Sequence, residues 1–150
     1  MVAAVACAWA ETKPDFSGTW KLNAAESDFS NKRAAVPDSL IWTIEHHGNK
    51  IKYTVAGERQ GKKNEFAADL HIGGQPHQSD AAGIISVEWK GDGLAVDTLY
   101  NPTNERRASM EEIWTLSEHR KKLTDKVVYH VPASAKDQSD VQFTRVFDKQ

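Results

Sequence analysis

Apolar residues recur at every second position along most of this chain. Leu40, Trp42 and Ile44 are interleaved with Ile41, Thr43 and Glu45, and Ile51, Tyr53 and Val55 alternate with lysines and Thr54. Period two places one set of side chains on one face of an extended strand and the next set on the other. His47-Gly48-Asn49 lies between the two runs and supplies turn residues, so together they read as a hairpin. A turn over 57–61 comes next, then a strand with Phe66, Ala68, Leu70 and Ile72 on one face, then a loop rich in Gly, Gln, Pro and Ser over 73–83. Strands at 84–90 and 94–100 flank Gly91-Asp92-Gly93, where the Asp-Gly pair is a tight-hairpin signal.

Asn101-Pro102-Thr103-Asn104 interrupts the pattern, and strands at 106–116, 122–131 and 141–147 follow. With 18–22 at the front the count is nine, and only 23–31 has room for a helix of a turn or two. No connection is long enough for a parallel crossover helix. Sequential hairpins that must hide their edges predict an all-β fold. The expected form is an antiparallel up-and-down barrel of about 8–10 strands, with one short helix after the first strand.

Composition narrows the function classes. A chain of 150 residues, 39% hydrophobic and 27% charged, is a globular one. At this length about two-thirds of the unfolded surface can be buried, so no disulfide is needed. Nineteen basic residues against twenty-one acidic ones leave no excess of positive charge for phosphates, which argues against nucleic acid as a partner. The single Cys7 permits neither an intramolecular disulfide nor a cysteine-cluster metal site. Residues 1–10 carry no charge and end in Ala8-Trp9-Ala10, an A-x-A cleavage pattern. Ten residues are too few to span a bilayer. They are read as a partial signal segment preceding a single domain at 11–150, which predicts a secreted or periplasmic protein. Two alternatives stand beside this one: acylation of Cys7 as in a lipoprotein, and an ordinary disordered end.

Two motifs at the ends of the domain carry a resemblance. Phe16-Ser17-Gly18-Thr19-Trp20-Lys21-Leu22 resembles the opening strand of the calycin superfamily, the lipocalins and fatty-acid-binding proteins, which begin with Gly-x-Trp. Thr144-Arg145-Val146-Phe147-Asp148-Lys149 resembles the closing strand of the fatty-acid binders. The opening motif also looks like that of small secreted bacterial lipocalin-like proteins. The resemblance implies a barrel that holds a small apolar or amphipathic molecule without a cofactor, with Trp20 plugging one end and a late-strand arginine stacked on it. It also implies an Arg-x-Tyr pair on the last strand, with a second arginine two strands earlier, for a ligand carboxylate. Arg145 matches the first, but Phe147 stands where the tyrosine would, and the region of the second arginine offers Glu112 and Trp114. A fatty-acid carboxylate would meet one cation and a like charge. The fifteen residues 23–37 leave space for one helix rather than a two-helix lid.

The candidate site follows from strand phase. Glu112 shares a face with Met110 and Trp114, Arg145 with Phe143 and Phe147, and Asp125 with Leu123, Val127 and Tyr129. If those faces line the lumen, Arg145, Tyr129, Trp114, Phe143, Phe147 and Glu112 are the ligand-binding candidates, with Arg145 orienting a polar end. Glu112 and Arg145 pairing with each other is the plainer alternative. Glu112 is also the one candidate for catalysis, as an acid or base in isomerase-, cyclase- or lyase-like chemistry within the same cavity. A third possibility is an interaction module with a filled lumen. The six histidines show no metal-site spacing; His71 and His77 could converge with Asp80, but ordinary surface histidines are the expectation. No nucleophile motif or phosphate loop is present.

Overall fold

The computed structural model describes residues 12–79, 83–117 and 119–150. The expected signal segment, with Cys7, and Asp80 lie outside the described residues. Ten strands follow one another: β1 (Gly18–Leu22), β2 (Ser39–His47), β3 (Lys50–Arg59), β4 (Lys62–His71), β5 (His77–Ser79), β6 (Gly83–Lys90), β7 (Gly93–Tyr100), β8 (Ala108–Leu116), β9 (Lys122–His130) and β10 (Val141–Lys149). They form one antiparallel sheet in the order β4-β3-β2-β1-β10-β9-β8-β7-β6-β5. First and last strands are neighbours, with Trp20 opposite Lys149 and Leu22 opposite Phe147. The sheet therefore curls into a nearly closed barrel. Among the described residues its two edges meet at a parallel bridge between Ile72 and Val87, where the Gly73 N–H donates to the Val87 carbonyl at 2.7 Å.

The expected short helix is absent: no described residue is helical. The backbone of 23–31 finds its partners on β10 instead. The Asn23 N–H donates to the Val146 carbonyl, and Asp28 and Thr144 exchange both backbone bonds, so the β1 line resumes after a turn. Asn23 shapes that turn by accepting from the Glu26 N–H through its side chain and from the Ser27 N–H and hydroxyl through its carbonyl. Asn and Ser offer the backbone these local bonds at the expense of a helix. No helix is long and apolar enough to cross a membrane among the described residues.

Nine strands were expected and ten are present, because His77–Ser79 within the Gly-rich loop pairs with β6. The 57–61 turn is also tighter than expected: β3 runs on through Gly57, and the chain reverses at Gln60 and Gly61, both left-handed (φ 52° and 74°). At the Gly91-Asp92-Gly93 hairpin the left-handed residue is Gly91 (φ 60°), while Gly93 already belongs to β7. A Gly at the first central position is what a type II′ hairpin turn requires.

Alternation is strict on β2, where Leu40, Trp42, Ile44 and His46 are buried and their neighbours exposed. The inward faces of the strands fill one half of the barrel. Trp42 is central there, with ring centroids 4.2 Å from Phe147 and 5.1 Å from Trp114, and Tyr53 set edge-on at 5.3 Å. His46 is not a surface histidine. It is buried, its Nδ1 accepts from the Phe16 N–H at 3.2 Å, and its Nε2 donates to the Gly48 carbonyl at 2.9 Å. Phe16 in turn accepts from the Trp20 indole at 3.0 Å through its carbonyl, so residues 15–17 seal this end.

Candidate functional site

The other half of the barrel holds a cavity of about 510 Å³. Its walls are mostly apolar, with Leu40, Trp42, Val55, Phe66, Ile85, Val96 and Met110 from six strands. Tyr53, Thr98, Tyr100, Glu112 and Arg145 supply the polar surface, and Asn64 and Glu65 stand at the exposed mouth. The cavity thus lies against the incompletely paired seam between β4 and β6.

Three charged side chains converge from three consecutive strands. Asp125 on β9 lies directly opposite both Arg145 on β10 and Trp114 on β8, and Glu112 is two residues before Trp114. All three therefore project inward within one pleat of each other. Arg145 Nε donates to Asp125 Oδ2 at 2.8 Å, and Nη2 reaches the same oxygen at 2.6 Å and Glu112 Oε1 at 2.9 Å. The guanidinium also lies over the Trp42 ring at 5.0 Å and the Phe143 ring at 5.5 Å, which adds cation–π attraction.

Burial decides the protonation of this cluster. The Glu112 carboxyl is desolvated and faces the Asp125 charge, and Arg145 offsets this only in part, so its pKa is raised to about 8. Burial likewise pushes the Asp125 carboxyl up, against the pull of Arg145. Asp125 Oδ1 is buried and accepts no N–H bond, while the Asp125 and Glu112 carboxyls are hydrogen-bonded to each other. A proton on Glu112 supplies that bond: at neutral pH Glu112 donates, Asp125 is the anion and Arg145 the cation. The three together are neutral. Burial, and then the nearby Glu112, also raise the phenols, Tyr53 well above the usual range and Tyr100 to about 12, so both remain O–H groups.

Of the six candidates from the sequence, Arg145 and Glu112 border the cavity, and they are paired to each other. Trp114 and Phe147 are fully buried against Trp42, in the filled half. Phe143 stacks on Phe29 with centroids 5.9 Å apart, and Tyr129 packs beside Tyr100 at 6.5 Å. Arg145 does not stack on Trp20; the cation over that ring is Lys149 Nζ, 5.4 Å from the centroid. Sequence reasoning did not single out Tyr53, Tyr100, Thr98 or Phe66. Their strand phase was readable, but which ring of inward positions stays open depends on how far the bulky aromatics of the other strands reach. No three His, Cys, Asp or Glu side chains gather as a metal site among the described residues.

No protein-family model and no curated protein matches the sequence. Solved structures do match in fold. A secretory abundant heat soluble (SAHS) protein from Ramazzottius varieornatus superposes with a TM-score of 0.62 at 11% identity, over 93% of this chain and 98% of that one. The apo form of lipid binding protein 8 (LBP-8) from Caenorhabditis elegans gives a TM-score of 0.57 at 16% identity, over 90% and 95%. The chain therefore shares the barrel fold of these proteins, and at such identities the likeness is one of fold alone. A lumen of this shape is able in principle to hold a small hydrophobic molecule.

Proposed function

We propose that this protein binds a small hydrophobic or amphipathic molecule inside its barrel. The observation that carries the reading is a cavity of about 510 Å³ with apolar walls and a compact polar cluster on one side. Small-molecule sites fall at about 300–1,000 Å³, are mainly apolar, and use a few placed polar groups for orientation. The name of the C. elegans barrel, a lipid binding protein, supports the same ligand class. Arg145, Tyr53, Tyr100 and Glu112 would meet the polar end, and Val55, Phe66, Ile85 and Met110 the tail. The uncharged start and its A-x-A ending support a secreted or periplasmic location, and the opening Gly-x-Trp strand supports kinship with small secreted lipocalin-like proteins.

The test is native mass spectrometry of protein purified gently from its own host, followed by denaturation and analysis of what is released. A stoichiometric apolar or amphipathic companion, lost in a Val55→Trp variant that fills the cavity, is the expected result. A bare polypeptide that also takes up no fluorescent apolar probe would overturn the reading.

One observation favours a second reading, in which the same cavity is an active site. Glu112 keeps a proton at neutral pH, as a general acid must. Its carboxyl is engaged with Arg145 and Asp125, however, which favours binding. Conversion of the recovered companion on incubation, abolished in Glu112→Gln, would decide for the enzyme. Recovery of the companion unchanged decides for the binder.

A further inference from the structure

We infer that the lumen selects uncharged amphiphiles whose head presents a hydroxyl or carbonyl oxygen, and discriminates against the carboxylate of a free fatty acid, because Arg145 is already neutralised from within the barrel. The inference rests on the lumen-binding reading above and names its ligand class.

Arg145 gives its Nε–H and Nη2 to two carboxyls of its own chain, at 2.6 to 2.9 Å. Those carboxyls are placed by strand register and are almost wholly buried, Asp125 at 0% and Glu112 at 4% exposure. They cannot swing away into water to free the guanidinium. An entering carboxylate has two options. It can join the cluster, placing a second anion beside Asp125 in a site with little water to screen it; or it can displace Asp125, leaving that carboxylate buried without its cation. Both oppose binding, because a buried charge is tolerated only when paired.

An uncharged oxygen needs only a donor. Arg145 carries five N–H groups, and those on Nη1 take no part in the bonds described. The side chains of Tyr53 and Tyr100 line the same space. The titratable and charged groups around the cavity are Tyr53 on β3, Glu65 on β4, Tyr100 on β7, Glu112 on β8, Asp125 on β9 and Arg145 on β10. Glu65 at the mouth adds a further negative charge in the path of an anion. With Glu112 protonated, the buried trio of Glu112, Asp125 and Arg145 sums to zero, which suits a neutral head.

The experiment is competition for the neutral probe N-phenyl-1-naphthylamine by three ligands of equal chain length: dodecanol, dodecanoyl ethanolamide and dodecanoate. At pH 7.5 the alcohol and amide are expected to displace the probe at concentrations about tenfold or more below that of dodecanoate. The gap should narrow as pH falls toward 5 and the acid becomes protonated. Asp125→Asn combined with Glu112→Gln removes both internal carboxyls that can balance Arg145, so dodecanoate should gain at least fivefold relative to dodecanol. If that variant does not fold by circular dichroism, Glu112→Gln and the native series still carry the test. In Glu112→Gln the native preference should persist at pH 9, where native Glu112 has ionised. Equal or tighter binding of dodecanoate to the native protein would overturn the inference and leave lumen binding intact. Failure of the probe to bind at all would overturn lumen binding itself, and the inference with it.

Discussion

Replacing Arg145 with Met probes the core of the argument, because it removes the cation while keeping a side chain of similar length. Asp125 would then be a carboxylate at 0% exposure whose Oδ2 has lost both its arginine donors, while the buried Oδ1 has no N–H donor to replace them. The bond to Glu112 Oε1 and the cation–π contacts over Trp42 and Phe143 would go as well. Removing one partner of a buried ion pair costs about 3–5 kcal/mol, most of it the penalty of the stranded charge. For a domain of this length each kcal/mol moves Tm by about 2–4 °C, so a fall of roughly 10 °C is expected. The native midpoint is read from tryptophan fluorescence in urea at pH 7.5, since Trp42 and Trp114 sit within the core. A second variant isolates the cause. Adding Asp125→Leu to Arg145→Met takes away the stranded anion, and the double variant should be more stable than Arg145→Met alone by about 1 kcal/mol or more. A single variant within about 1 kcal/mol of native, or a double variant no more stable than Arg145→Met, would refute the claim that this ion pair is buried and mutually dependent.

Two further predictions concern pH and the sealed end. Because Glu112 has a folded pKa of about 8 against an ordinary 4.5, the folded state holds more protons than the unfolded one between those values. Stability should therefore fall as pH rises through that window, and Glu112→Gln should flatten the profile. His130, whose bonds to Glu111 and Asp140 raise its pKa, contributes stability present below about 6.5 and lost as pH rises through its folded value, in the same direction. Urea midpoints from pH 5 to 9 in a His130→Gln background separate the two; a profile unchanged by Glu112→Gln would contradict the assignment. At the sealed end, His46→Leu leaves the buried Phe16 N–H without its acceptor and the Gly48 carbonyl without a donor, a loss of about 1–3 kcal/mol. Thermal unfolding at native Tm would show that the imidazole bonds are dispensable.

Period-two patterning and turn residues were enough to determine the all-β class, the antiparallel order and which side chains of a strand share a face. The reason is local: alternation along Leu40, Trp42, Ile44 and His46 survives in any register that buries one face. The same logic grouped Glu112, Asp125 and Arg145 with their apolar neighbours in strand phase, and the structure turns those faces inward. Patterning could not say what they would do there. Glu112 and Arg145 are 33 residues apart, and whether they bind a ligand or each other depends on the registers of β8, β9 and β10. The helix expected over 23–31 failed for a related reason. Local propensity favoured a turn of helix, but β10 offered unpaired backbone at Thr144 and Val146, and intersegment hydrogen bonds took the segment. The division of the barrel into a filled and an open half was likewise settled only in three dimensions. Trp42, Trp114 and Phe147 come from three distant strands and stack in one half, leaving the cavity in the other. Volume is a property of the assembled interior, and no single strand carries it.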